Sequence, residues 1–176
     1  MSILQLIKRN PDSSSTASTE TETVRRITQA LDQLDPDRAK YIASFAYLLG
    51  RVARADMNIS REETQRMERI IMERGGMPEE QDILVVQIAK TQNILFGGTE
   101  NYLVSREFKS ISSVEERMVL LDCLFAVAAS DRSIATIEDN EISQIADELR
   151  IEHRDFISVR LKYRDYLAVL KSSGNH

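Results

Sequence analysis

At 176 residues, with 42% hydrophobic and 29% charged side chains, the chain has the composition of one globular domain that buries about two-thirds of the surface its unfolded form would expose. Six glycines and three prolines are too few for a turn-rich β-sandwich, and a formal charge of −5, with basic residues interleaved among acids, excludes nucleic acid as the main partner. A single cysteine, Cys123, excludes a disulfide framework and a thiolate metal cage; it fits a reducing compartment, so a cytoplasmic protein is expected.

Residues 1–10, MSILQLIKRN, form a short amphipathic segment in which Ile3, Leu4, Leu6 and Ile7 precede Lys8 and Arg9. Its apolar core is too short for a spanning helix or a signal peptide. It either docks on its own domain or stays disordered, or else it serves a partner groove or makes weak contact with a membrane surface. Residues 11–23, PDSSSTASTETET, are too polar to offset their ordering entropy and read as a flexible linker. From 24 to 171 the pattern is helical throughout.

Val24, Ile27, Leu31 and Leu34 recur at helix spacing before Asp35-Pro36 stops that helix. A central helix follows, with Tyr41, Phe45, Leu48, Leu49 and Val52 on a wide apolar face. Ser60 and Glu63 make a capping box for a helix that ends at Gly75-Gly76. Pro78 opens the next, with Ile83, Val86, Ile88 and Leu95 expected inward and Gly97-Gly98 as its stop. A short helix near Tyr102–Phe108 precedes a second capping box, Ser113 with Glu116, and a second central helix through Met118, Leu121, Leu124, Phe125 and Ala128. Residues 137–149 form a further helix, and one closing helix runs from His153 to Lys171. The expectation is an all-α bundle of about eight helices without a strand.

Shifting the chain by 75 residues aligns LGRVARADMNISREETQRMERIIME with LFAVAASDRSIATIEDNEISQIADE. Eight positions become identical, among them Asp56/Asp131, Ile59/Ile134, Glu63/Glu138 and Glu73/Glu148. About one or two matches are expected by chance in such a window, so the segment reads as an αα-hairpin unit present twice. Helix geometry puts Glu63 on the face of Met67 and Ile70, and Glu138 on that of Ile142 and Ile145. A carboxylate on an apolar face needs a partner. Three are available: the free N–H groups of its own helix start, a base such as Arg51 or Arg54, or a divalent cation shared with Asp56 or Asp131. Capping covers copy one; Ala135, in the place of Ser60, cannot cap.

An EF-hand is excluded, because Arg61 stands where the loop needs Gly and Met67 where it needs a bidentate Glu. Two readings of Asp56, Glu63, Asp131 and Glu138 stay open. They make Asx-turns and helix caps, or they hold a hard cation such as calcium, magnesium or manganese. His153 and His176 have no third ligand for zinc, Cys123 lies in an apolar helix, and Gly97-Gly98-Thr99 lacks the Lys and flanking strand of a phosphate loop. No nucleophile, base and oxyanion set can be assembled, so an enzyme is not expected.

The segments VARADMNISREE and DRSIATIEDNEISQIADELRIEHRDF resemble the two halves of the tellurite-resistance TerB-like domain, over roughly residues 36–170. The resemblance implies an all-α bundle of two αα-hairpins without catalytic activity. It also implies a bacterial cytosolic module linked to tellurite and stress resistance, working beside a protein partner at the membrane; a peripheral membrane adapter localised by residues 1–10 is the alternative. The acidic motif residues proposed in the family to bind divalent metal fall on Asp56, Glu63, Asp131 and Glu138. The residue after each Asp, commonly Gly in such domains, is Met57 and Arg132.

Overall fold

A computed structural model of the chain describes residues 2–8, 17–53, 61–91 and 101–172. These form ten α-helices: α1 (Ile3–Lys8), α2 (Ala17–Asp32), α3 (Pro36–Ala53), α4 (Arg61–Arg74), α5 (Glu79–Lys90), α6 (Asn101–Ile111), α7 (Val114–Ala128), α8 (Thr136–Glu148), α9 (His153–Lys162) and α10 (Ala168–Ser172). Two 3₁₀ turns, Ala129–Asp131 and Arg164–Tyr166, join the later helices. The fold is all-α. The only β pairing among the described residues is an isolated parallel bridge between Ile134 and Leu167.

Pro36 begins α3 because its fixed φ suits a first helical turn and its missing N–H is not needed there. Asp35 accepts from the Asp37 N–H at 3.0 Å and supplies the cap. From Tyr41 to Val52 every residue of α3 is buried, which a helix achieves only when neighbours cover all its faces. α5, α6 and α7 are those neighbours, with α1 and α8 completing the surround. Phe108 of α6 meets Tyr41 at 5.3 Å and Phe45 at 6.2 Å between ring centroids. α7 is the second buried helix, and its Phe125 stacks on Tyr163 at 5.6 Å.

The helix ends follow local chemistry. Gly76 takes φ +67°, a conformation costly for other residues, and stops α4 after the Gly75 N–H has bonded to the Ile71 carbonyl at 2.7 Å. The Ser113 hydroxyl accepts from the Glu116 N–H at 3.1 Å while the Glu116 carboxylate accepts from the Ser113 N–H at 2.7 Å, a complete capping box. Ser113→Ala is therefore expected to cost about 1 kcal/mol in a urea unfolding titration, with an unchanged m-value.

Three sequence expectations are corrected. The linker assigned to residues 11–23 is already helical from Ala17, because α2 is carried by Ile27 and Leu31 in the core and by Glu22 pairing with Arg25 at 2.7 Å and Arg26 at 3.0 Å. The closing helix is broken at Tyr163. The chain turns there so that the Ile134 N–H bonds to the Tyr166 carbonyl at 2.7 Å and the Ala168 N–H to the Ile134 carbonyl at 3.0 Å, which leaves Leu161 and Leu170 exposed. In α5, Ile83 points outward; Leu84, Val85, Val86 and Ile88 face the core. The ten α-helices among the described residues accord with the about eight expected once the short α1 and the split of the closing helix are counted. Ser60, Leu95 and Gly97-Gly98 lie outside the described residues.

The N-terminal segment docks on its own domain. Ile3, Leu6 and Ile7 of α1 are buried in the main core against α3 and α6. A six-residue helix does not hold itself together in water, so this packing is what orders it.

The candidate acidic cleft and a buried ion-pair network

The end of α3 and the start of α4 lie beside the end of α7 and the start of α8 on one side of the bundle. α3 ends at Ala53 and α4 begins at Arg61; α7 ends at Ala128 and, after the 3₁₀ turn, α8 begins at Thr136. At their junction lies a small cleft with room for about one water or ion, about 30 Å³. Glu63, Asp131 and Glu138 line it with Ser130, over a floor of Ala53, Met67, Val127 and Ala128. Three of the four acids singled out in the sequence are thus brought together from separate turns. Asp56 lies outside the described residues.

Each acid has a local reason for its place. The Asp131 carboxylate accepts from the Ser133 N–H at 3.0 Å, an Asx-turn that closes the connection. The Glu138 carboxylate accepts from the Ala135 N–H at 2.8 Å, the half of a capping box that survives when the cap residue has no oxygen to return the bond. Glu63 and Glu138 are half-buried at the first turns of α4 and α8, where the positive helix ends favour a carboxylate. Between Asp131 and Ser133, Arg132 takes φ +69°, the left-handed region that favours Gly, so a non-Gly residue carries strain of about 1 kcal/mol in this turn.

The donor chemistry fits a hard cation, since every polar side chain in the cleft offers oxygen. Convergence is less complete. Among the described residues no group of three or more His, Cys, Asp or Glu side chains gathers closely enough to hold a metal ion.

A second polar cluster, absent from the sequence expectations, lies inside the bundle. Arg51, considered above as a partner for Glu63, turns instead toward α8. Its Nε donates to Glu141 at 2.7 Å, and its Nη1 donates to Glu148 at 2.8 Å and to the Ser105 hydroxyl at 3.2 Å. Ser105 and Gln144 also donate to Glu148. The Arg51 side chain is 3% exposed. Burial by itself would raise the Glu148 carboxyl, but the bonds from Arg51, Ser105 and Gln144 outweigh it and hold the group below its usual range. This network ties α3, α6 and α8 together.

Two further pairs fasten the last helices. Arg160 of α9 grips Asp139 of α8 through two bonds, at 2.9 and 2.6 Å. Asp122 of α7 accepts from Arg74 at 2.7 Å and from the Tyr163 hydroxyl at 3.0 Å. Cys123 is fully buried and its thiol is pushed up to about 12, chiefly by burial, so it stays an un-ionised core side chain. His153 packs beside the Phe156 ring at 6.5 Å. Arg51 and Glu148 do stand in the aligned repeat region, but their pairing across 97 residues has no local signature.

The family model described as tellurite resistance protein TerB matches residues 41–161. Neither a curated protein nor a solved structure matches the chain. Among the described residues no helix is long and apolar enough to cross a membrane.

Proposed function

This chain belongs to the TerB tellurite-resistance family, and from that premise we propose that it is an interaction module whose paired acidic turns respond to a divalent cation and whose partner is a membrane-associated protein of a stress-resistance pathway. It is not an enzyme, for domains of this family are non-catalytic interaction modules. The observation that carries the cation reading is the cleft itself, where Glu63 from one turn and Asp131 and Glu138 from another line the same small space. Asp56 is assigned the remaining place in the ligand set. On this reading the two turns are copies of one unit. The helix boundaries support that: from Ala53 to Ala128 and from Arg61 to Thr136 is the same step of 75 residues.

Calcium, magnesium or manganese would be held by these carboxylates, neutralising charge where two helix connections meet and drawing α4 toward α8. A partner that reads this face would then bind one state better than the other, which is what makes a cation a switch.

Titrating the full chain with each cation to about 1 mM, followed by amide NMR, is expected to shift resonances of Glu63, Asp131 and Glu138 and their neighbours. The melting temperature should rise by the equivalent of about 1–3 kcal/mol if the site is filled well above its dissociation constant. Asp131→Asn combined with Glu138→Gln should remove the response, while the Gln carbonyl still accepts from Ala135. Spectra and melting temperature unmoved by all three cations would overturn the proposal.

A further inference from the structure

The groove between α3 and α6 holds the N-terminal helix in a manner that resembles a bound peptide. α1 contributes Ile3, Leu6 and Ile7, spaced i, i+3, i+4, and these are 0%, 7% and 2% exposed. Glu107 of α6 receives the start of this helix. Its carboxylate accepts from the Ile3 N–H at 2.7 Å and from the Ser2 hydroxyl at 2.9 Å. A carboxylate at the positive end of a helix fixes both its direction and its register.

Two observations separate this groove from an ordinary piece of core. The family match begins at residue 41, so α1 lies outside the matched domain while α6 and most of α3 lie within it. The apolar groove of the matched region is thus covered by a segment from outside that region. Between Lys8 and Ala17 the sequence is RNPDSSST, without an aromatic or branched aliphatic residue, and α1 itself meets the core through Ile3, Leu6 and Ile7, with Leu4 packed against it, and through Glu107.

We infer that the α3–α6 groove is a docking site for a short amphipathic helix of a partner protein, and that α1 occupies it in cis until displaced. The occupant's chemistry is read from α1. It carries aliphatic side chains at i, i+3 and i+4, a hydroxyl or other small polar residue before the first turn, and a free N–H for Glu107. Recognition is of the helix-in-groove kind, with the carboxylate setting orientation. Covalent attachment gives α1 a high effective concentration, so the wild-type chain resists a free competitor. The inference rests on the interaction-module reading only in naming a protein as partner, and its test contains no cation, so the two fail independently.

The test uses the full chain and a fluorescein-labelled peptide of residues 1–10. Ile3→Asp with Ile7→Asp places two charges in the apolar contact and releases α1. The released variant should bind the peptide at least about 10-fold more tightly than wild type by fluorescence anisotropy, because the cis competitor is gone. Adding Glu107→Gln should weaken that binding about 5-fold. In the otherwise wild-type chain, Glu107→Gln should speed amide exchange in residues 3–8 and leave α3 and α7 protected. The proposal is overturned if the released variant is folded and binds no peptide. It is also overturned if that variant loses its cooperative melt, since α1 would then be a structural part of the core, or if Glu107→Gln changes neither measurement.

Discussion

Arg51→Met is expected to destabilise the fold by about 3–5 kcal/mol, because it leaves Glu148 and Glu141 facing the bundle interior without the charge that compensates them. The cost comes from the partners left behind more than from the lost bonds. Glu148 is 14% exposed and Glu141 26%, and neither has another cation bonded to it among the described ion pairs. Ser105 and Gln144 would still donate to Glu148, but neutral donors do not offset a buried charge. Replacing Glu148 as well should recover much of the loss. Arg51→Met with Glu148→Met substitutes a packed apolar pair for the ionic one, and such exchanges are often close to neutral. Urea unfolding of the wild type, both single variants and the double variant would measure the coupling. A single-variant cost below about 1 kcal/mol would mean that water screens the network and that it does not hold α3 to α8.

The same network gives acid sensitivity with a definite sign. Glu148 has a lowered folded-state pKa, so its contribution is fully present above the ordinary carboxylate value of 4.5 and is lost as pH falls below it. Stability should therefore drop on the acid side, and the drop should be smaller in the double variant.

Asp82 is expected to act in the opposite direction. This residue of α5 is 2% exposed, and its Oδ1 has no hydrogen-bond partner. It faces the end of α4, where a Cβ added to Gly75 would come within 3.1 Å of that oxygen. Burial pushes its carboxyl up to about 6, with Glu79 adding to the rise and Arg38 opposing it. The folded state thus takes up a proton that the unfolded chain, with a value near 3.8, releases. Stability from this group is greatest below the unfolded value and is lost as pH rises through the folded one. At neutral pH an ionised carboxylate with one unpartnered oxygen is left in the interior.

Asp82→Asn keeps the shape and removes the charge. It should raise stability at pH 7.5 by roughly 1–3 kcal/mol, a range that allows for the polar amide still needing partners. The gain should shrink toward zero near pH 4, where the wild-type carboxyl is itself protonated. Paired urea titrations at the two pH values would test both statements. A variant less stable than wild type at pH 7.5 would show that the carboxylate is stabilised where it stands. Glu148 and Asp82 differ in charge logic: one carboxylate is bonded to a cation, while for the other burial outweighs the attraction of Arg38.

Much of the fold was legible from the chain. The wide apolar faces of Tyr41–Val52 and Leu120–Ala128 marked the two buried helices, because a period near 3.6 and the breadth of a face are properties of neighbouring residues. Capping at Ser113 and the stop at Gly76 were legible for the same reason, since each is settled by atoms within four residues. Membership of the TerB family was already visible in the two Asp and Glu turns and is carried by the match over residues 41–161.

What required the tertiary structure was every choice among distant partners. The sequence offered Arg51 to Glu63; packing gave it to Glu141 and Glu148, because α3 lies against α8 along that face. It left α1 open between docking on its own domain, disorder, a partner groove and a membrane surface, and a six-residue helix is settled only by the groove that receives it. The break at Tyr163 depends on a bridge to Ile134, 33 residues earlier as counted to Leu167, which no local pattern encodes. Helix formation is decided by contacts within a few residues, whereas the pairing of charges, the seating of α1 and the meeting of the two acidic turns depend on how finished helices pack.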